Sequence, residues 1–378
     1  MAWSATNRCL NKEQAAFFVL LRAGLWESEP EDLSLFPLTA DGWQQLFRLA
    51  RQQTVTGMVY EGLCRLPDAL LPPERLLLQW VVEVDAVENR NRRMNTVLAR
   101  LYALFGSRGL TPVLLKGQGV AGFYANPLRR DCGDIDFYFP VPGEGEQAVS
   151  LISGMGHTVT RQADDSWCYR WENIEVEHHA RLLDISNPVA GDYLKRMEEK
   201  WGFCAFGLTV GGEKVSIKTP APLLNLLLIN THILKHALGR GIGLRQLCDM
   251  ARACHALHAD VEGDEVVRVV RKLGIDRWNR LLHAFMVDYM GVLPEWLPVK
   301  DRAYSAAPLL HIVLRGGNFG QYAEGRDNPS CPVWRRKLDT SLSFLGNARF
   351  ACGHAPVEAF WTFVGLLAGQ RKQVRKTE

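Results

Sequence analysis

The sequence predicts an α+β protein in which a small sheet lies between two helical segments. Between residues 111 and 218, short runs rich in β-branched and aromatic residues alternate with turn signals, as strands do. On both sides of that stretch, apolar residues recur at helical spacing. We therefore expect an N-terminal helical domain (1–110), an α/β core (111–218) and a C-terminal helical domain (219–378).

The N-terminal domain is expected to consist of helices separated by proline-rich breaks. Asn11 and Gln14 have the spacing of a capping box for a first helix, and Gly109 is a candidate C-cap for the last one. Further helices are expected at 42–51, 55–66 and 74–109, with a loop at 29–37.

The core is expected to combine strands with two short helices. Gly211-Gly212 predicts the turn of a hairpin between strands 205–210 and 214–218. The other strands are expected at 111–115, 134–139, 157–161, 167–171 and 173–180, and the helices at 118–124 and 144–155.

The C-terminal domain is expected to be helical again, because long apolar patterns of helical period return after Pro220. A turn-rich loop is expected at 315–320. The helices are expected at 223–238, 244–257, 261–273, 278–292, 334–345 and after Pro356.

Composition is that of an ordinary globular protein, with 47% apolar and 22% charged residues. The net charge of +3 is too small to indicate nucleic-acid binding by itself. Nine cysteines occur without a CxxC pair and no apolar signal core opens the chain, so we expect reduced thiols in a cytoplasmic protein. The longest apolar run, 223–234, is too short to span a bilayer, so no membrane association is expected.

Two acids in the second strand are the first candidates for chemistry. Side chains alternate along a strand, so Asp134 and Asp136 project to one face, roughly 6–7 Å apart, while the apolar residues between them face the other way. Paired carboxylates repel each other unless a cation lies between them, and Mg²⁺ or Mn²⁺ suits such oxygen ligands. The alternative is a solvated strand edge, but the apolar stretch 137–139 does not fit a solvated edge.

The surrounding residues resemble a known family. Lys-Gly after an apolar strand, then a short helix, an arginine and Gly-Asp-h-Asp, where h is apolar, is the pattern of the uncharacterised nucleotidyltransferase family within the DNA-polymerase-beta-like superfamily. Gln118 stands where the wider superfamily has serine, a difference that suits this family. The resemblance implies a small mixed-sheet nucleotidyltransferase core. The matching residues are Lys116, Gly117, Arg130, Gly133, Asp134 and Asp136.

The resemblance also implies a third carboxylate on a later strand. In the strand sequence IEVEHH, the family pattern puts this acid at Glu177 and its companion at His179, with Glu175 as the alternative. Asp134, Asp136 and Glu177 are thus the expected catalytic residues and the expected ligands of Mg²⁺ or Mn²⁺. The simpler alternative is that both glutamates are exposed strand residues.

Four residues are expected to bind the nucleotide. Gly117 would let the backbone approach a phosphate, and Lys116 would neutralise phosphate charge. Arg130 would hold phosphate through two parallel hydrogen bonds, or else form an ion pair with Asp131 or another acid. The resemblance implies that Lys235 reaches the triphosphate.

Two further spacings on the C-terminal helices have simple alternatives. His232 and His236 are four residues apart, as in zinc sites, but no glutamate lies between them and no cysteine is near, so a structural role or a contact with the base is favoured. Arg245 and Asp249 match the family and also have the spacing of an intrahelical ion pair.

Other nucleotide-binding motifs are weaker or missing. Residues 117–122 read GxGxxG, and Asp136 lies near the distance at which a dinucleotide fold places its acid, but no train of βα units follows. The sequence has no GxxxxGK[ST] and no GxSxG, which argues against a P-loop NTPase and an α/β-hydrolase.

The function that the resemblance implies is metal-dependent transfer of a nucleoside monophosphate from an NTP, such as ATP, to an unknown hydroxyl-type acceptor, with release of pyrophosphate. A small-molecule acceptor is favoured over tRNA or protein because the modest net charge argues against a large nucleic-acid footprint. The alternatives are a catalytically degenerate core that binds a nucleotide or ligand without turnover, and a toxin-like transferase that modifies tRNA or protein.

Overall fold

The computed structural model describes residues 10–162, 164–239, 241–298, 304–316 and 347–374, and within them it shows a seven-stranded sheet flanked by helices. The order across the sheet is β3-β4-β5-β2-β1-β7-β6. Strands β2 and β5 run parallel, as do β1 and β7, while the other neighbours are antiparallel, so the expected α+β class with a mixed sheet is confirmed. The strands are β1 Val113–Leu115, β2 Asp134–Tyr138, β3 Thr160–Arg161, β4 Trp167–Trp171, β5 Ile174–His179, β6 Phe203–Val210 and β7 Glu213–Pro220.

Within the described residues, four α-helices precede the sheet, at positions close to those predicted. Asn11 and Gln14 form the predicted capping box, each side chain bonding the other residue's backbone N–H. The fourth helix is 34 residues long and buries one apolar stripe along its length. These helices are α1 Lys12–Leu25, α2 Ala40–Gln52, α3 Thr56–Leu63 and α4 Glu74–Ser107.

Three helices lie within or beside the core, and one of them was not predicted. That helix is α7, which packs on the core through one amphipathic face and buries only Met197 fully. Gly211-Gly212 joins β6 to β7 as the predicted hairpin turn. The core helices are α5 Gly117–Ala121, α6 Glu144–Gly154 and α7 Gly191–Trp201.

The helices after the sheet confirm most of the predicted C-terminal pattern, with α12 and α13 as additions. The helix predicted at 334–345 lies outside the described residues, and so does the loop predicted at 315–320 apart from its first two residues, which end α12. These helices are α8 Pro222–Leu238, α9 Leu244–Leu257, α10 Gly263–Lys272, α11 Asp276–Asp288, α12 Ala307–Gly316, α13 Ala348–His354 and α14 Pro356–Val374.

Alternation along the central strands gives the sheet two different faces. Ile135 and Phe137 of β2 and Val176 of β5 are buried in a hydrophobic cluster with Leu101 and Phe105 of the long helix α4. The residues between them, among them the acids of both strands, therefore point to the opposite face. The helix α4 covers the apolar face, and the acids are left for a site on the other.

The N-terminal and C-terminal helices share a second hydrophobic cluster. Phe18 of α1 packs against Tyr289, with ring centroids 5.4 Å apart, and the indole N–H of Trp26 donates to the Met290 carbonyl at 2.6 Å. The three-domain division at residues 110 and 218 stays a prediction. Of the helices in the described ranges, none combines the length and the apolar character needed to cross a membrane.

Candidate active site

The site begins where β1 ends, at Lys116 and Gly117. Both residues have positive φ, +42° and +41°, which is strained for a lysine and natural for a glycine. A Cβ on Gly117 would lie 3.3 Å from the Cys132 sulfur, so a larger residue does not fit easily. Strained backbone of this kind is found at functional sites because the surrounding fold holds it in place.

The register of β2 and β5 brings the predicted acids together. In this parallel pair Asp136 lies opposite Glu177, and Asp134 lies opposite Glu175. Asp134, Asp136 and Glu177 all line a cavity of about 270 Å³, whereas Glu175 lines a separate surface depression and accepts a hydrogen bond from the Cys168 thiol. Of the two candidates for the third carboxylate, the geometry therefore favours Glu177.

The donor atoms of this site fit a divalent cation. One ligand atom each from Asp136, Glu177 and His179 lie within 4.8 Å of one another, and His179 Nε2 is 2.6 Å from Asp136 Oδ1. Two carboxylate oxygens and an imidazole nitrogen suit Mn²⁺, and the oxygens suit Mg²⁺. Asp134 lines the same cavity but is not in that group of three, so its role as a metal ligand stays a prediction.

Repulsion between the two acids of β2 marks the site as well. The charge of Asp136, together with burial, raises the pKa of Asp134 to about 6. Although burial alone would raise it, the Lys116 ammonium and His179 lower the pKa of Asp136 below its usual range. A cation between the two carboxylates would relieve their repulsion.

Lys116 points into the same cluster. Its Nζ lies 3.6 Å from Asp136 Oδ1 and 3.5 Å from His179 Nε2. Burial would lower the pKa of Lys116, but the charges of Asp136 and Asp184 outweigh it and raise the pKa. Lys116 is therefore a fixed positive charge beside the carboxylates, and its role in neutralising phosphate stays a prediction.

Arg130 is buried and gives two of its donors to Asp249. Its Nε and Nη2 donate to the two carboxylate oxygens at 2.9 and 2.6 Å, and the Tyr124 hydroxyl donates to one of them at 2.7 Å. The ion-pair alternative is thus observed with Asp249, on helix α9, and not with Asp131. Arg130 also lines the cavity, and its role in nucleotide binding stays a prediction.

Lys235 lies at the cavity on helix α8, held by an acid that the sequence reasoning missed. Lys235 Nζ donates to Asp184 Oδ1 at 2.8 Å, and Asp184 Oδ2 lies 3.0 Å from Nδ1 of His232. Asp184 follows β5 in an irregular stretch between buried Leu183 and Ile185. An acid between two buried apolar residues is the one local signal that points to it.

The zinc alternative for His232 and His236 gains no support from the geometry. Within the part of the chain that the structure describes, the cluster with metal-ligand geometry includes neither residue. The two rings instead pack edge to face, with centroids 4.5 Å apart.

Comparisons with known proteins identify a family for this chain. Residues 39–291 match the family model described as "Uncharacterised nucleotidyltransferase". No curated protein matches the chain. A solved structure titled as an antigenic nucleotidyltransferase-like protein from Paracoccidioides brasiliensis matches at 13% identity, over 52% of this chain and 92% of that one, with a TM-score of 0.36 that is too low to argue from.

The family match covers more than half of the chain and spans the strands and helices that form the cavity. It includes the six residues, from Lys116 to Asp136, on which the resemblance in the sequence depends. The chain therefore belongs to the family of uncharacterised nucleotidyltransferases.

Proposed function

We propose that this protein transfers a nucleoside monophosphate from an NTP to a hydroxyl-type acceptor and releases pyrophosphate, with Mg²⁺ or Mn²⁺ as cofactor. The observation that carries the proposal is the meeting of Asp134, Asp136 and Glu177, from two neighbouring parallel strands, on one cavity with Lys116. Acids placed in this way suit metal-assisted phosphoryl chemistry.

The residues of the cavity have separate roles in this proposal. Asp134, Asp136, Glu177 and His179 would hold the divalent cation, which when bound lowers the pKa of the acceptor hydroxyl and screens the triphosphate. Lys116 neutralises the charge that develops on the phosphate oxygens.

The remaining predicted residues would hold the nucleotide. Gly117 keeps the backbone open to a phosphate, because its positive φ and close neighbour exclude a larger side chain. Lys235 lies at the cavity wall and is half exposed, so it can turn towards a triphosphate. Arg130 lines the cavity, and its two hydrogen bonds to Asp249 would fix its positive charge near the bound phosphates.

In the reaction, the acceptor oxygen forms a bond to the α-phosphorus of the NTP. The bond between that phosphorus and the oxygen that leads to the β-phosphate breaks, and pyrophosphate leaves with the electron pair. The proton of the acceptor hydroxyl passes to a base in the cavity. The products are the acceptor phosphodiester and pyrophosphate.

A small-molecule acceptor in the cytoplasm is part of the proposal. The net charge of +3 and the lack of a long basic stripe in the sequence favour a small molecule over tRNA. The toxin-like alternative, in which tRNA or protein is modified, makes a different prediction about where the label goes.

The test is to incubate the purified protein with each α-³²P-labelled NTP, Mg²⁺ and cell extract, and then to separate RNA, protein and small molecules. We expect label in the small-molecule fraction, together with pyrophosphate. Label in RNA or protein would replace the small-molecule acceptor with the toxin-like alternative.

Isothermal titration with ATP and Mg²⁺ tests the alternative that the core is catalytically degenerate and binds a nucleotide without turnover. Binding without labelled product or pyrophosphate in any fraction would show a core that holds nucleotide without turnover, and would overturn the proposed reaction.

A further inference from the structure

The roles proposed so far leave one side chain of the cavity wall without a function, His232, which Asp184 holds from behind the wall. Both side chains are mostly buried, at 17% and 18% exposed, and the Nδ1 of His232 lies 3.0 Å from Asp184 Oδ2. The other Asp184 oxygen is fixed by Lys235 at 2.8 Å. Helix α8 thus supplies both partners of one carboxylate, which holds the imidazole ring in a single orientation.

The contact with Asp184 sets the tautomer of His232. Burial opposes ionisation, but hydrogen bonding from His232 and the nearby positive charges hold the pKa of Asp184 well below its usual range, so the carboxylate can only accept. Nδ1 must then carry a proton. His232 lines the cavity, and with Nδ1 used by Asp184 the nitrogen left for the cavity is Nε2.

The charges around His232 keep its ring neutral before substrate arrives. Burial and the Lys116 ammonium lower the pKa of His232 to about 4, against the opposite effects of Asp184 and Asp136. His236 packs against the ring from the same helix. A triphosphate bound at Lys116 would screen that ammonium, so His232 would become a stronger base when the nucleotide is bound.

We propose that Nε2 of His232 takes the proton from the acceptor hydroxyl, and that Asp184 is the positioning residue that holds the ring for this step. The inference rests on the proposed function. As the new bond to the α-phosphorus forms, the O–H bond breaks, the proton moves to Nε2, and pyrophosphate leaves with the electron pair. Glu177 is less suited to accept this proton because it belongs to the group of metal donors.

His232→Gln keeps a hydrogen-bonding side chain but removes the base. With α-³²P-ATP, Mg²⁺ and the extract fraction that accepts label, we expect kcat to fall about 10²-fold or more, KM for ATP to stay unchanged, and the acidic limb of the pH profile to disappear. The matched control is His258→Gln, at an exposed histidine that does not line the cavity, which we expect to keep kcat within a few-fold. Lys235→Met removes the second partner of Asp184. We expect this change to raise KM for ATP, which distinguishes the role of Lys235 from that of His232.

Asp184→Asn tests the positioning role. We expect a smaller fall in kcat than for His232→Gln. We also expect the pH below which kcat falls to change, which a merely structural defect would not produce. Nitrogen-15 NMR of the wild-type protein at pH 7 gives a readout that does not depend on any variant folding: His232 should show a protonated Nδ1 and an unprotonated Nε2.

A protonated Nε2, or a His232→Gln enzyme with wild-type kcat and pH profile, would overturn the role of His232 while wild-type transfer still supports the proposed function. If the wild-type protein transfers no label at all, the proposed function itself fails, and this inference fails with it.

Discussion

At the scale of single residues, the buried ion pair between Arg130 and Asp249 gives the first prediction. Both side chains are less than a tenth exposed, and removal of one partner would leave a buried charge uncompensated. We expect Asp249→Asn to lower the free energy of unfolding by about 3 kcal/mol, measured by urea denaturation. The control is Arg100→Gln, whose partner is Glu172 and whose pair is more than half exposed, so a change of about 1 kcal/mol or less is expected. Equal effects of the two variants would contradict this account.

His178, also a single buried residue, gives a prediction about pH. Burial lowers its pKa to about 3, below the value of about 6.5 in the unfolded chain. Between these values the unfolded chain binds more protons than the folded one, so the contribution of His178 to stability is complete above pH 6.5 and is lost as the pH falls.

The measurement compares urea unfolding of the wild type and His178→Phe at pH 7 and pH 5. The wild type should lose up to about 1.4 kcal/mol more than the variant for each pH unit of acidification in this range. An identical pH dependence of the two proteins would show that His178 does not titrate as its burial requires.

Single residues also show how far sequence reasoning reaches. Asp134, Asp136 and Glu177 could be predicted from strand alternation and the family pattern, which both depend on nearby sequence, and all three line one cavity. Asp184 and the Asp249 partner of Arg130 were not found, because each depends on chain segments that are distant in sequence. Local periodicity carries no information on such contacts.

At the scale of elements, helices α1 and α3 pack closely at Gly24 and Gly62, each of which lies against the backbone of the other helix. A Cβ on Gly24 would lie 1.8 Å from the Met58 carbonyl oxygen, and one on Gly62 would lie 2.0 Å from that of Leu20. We expect Gly62→Ala to destabilise the protein by about 1–3 kcal/mol, because backbone atoms of two packed helices would have to separate.

The matched control for Gly62→Ala is Gly106→Ala, near the end of α4, where an added Cβ meets nothing within 4 Å. Alanine is a better helix former than glycine, so this change should leave stability equal or higher by up to about 1 kcal/mol. Thermal and urea unfolding measure both variants. A Gly62→Ala protein as stable as the wild type would rule out the close crossing of α1 and α3.

Elements that bury many apolar residues were predicted well, and one largely exposed helix was not. Strand β4 and helix α9 have the bounds predicted for them, because their apolar residues follow the period of each structure. Helix α7 was missed because it packs through few residues and is largely exposed. Packing against the rest of the protein, which the local sequence does not record, supports such a helix.

At the scale of the whole molecule, the cavity joins the sheet to helices α8 and α9, so a ligand in it should stabilise the fold. Acids from β2 and β5, Lys116 after β1, and side chains of both helices line the same space. We expect ATP with Mg²⁺ to raise the unfolding temperature, since a ligand at 100 times its Kd adds about 2.7 kcal/mol. Differential scanning fluorimetry measures this shift, and the Asp134→Asn, Asp136→Asn double variant is the control. A shift of the same size in the double variant would show that the ligand binds elsewhere.

The central claim is that the acids of β2 and β5 make this cavity a site of nucleotidyl transfer. The most direct test is the rate of pyrophosphate release with γ-³²P-ATP, Mg²⁺ and the accepting extract fraction, for the wild type and for the Asp134→Asn, Asp136→Asn double variant. The account predicts transfer by the wild type and a rate for the double variant no higher than that without protein, with urea unfolding as the check that the variant keeps its fold. Pyrophosphate release that survives in the double variant would contradict it.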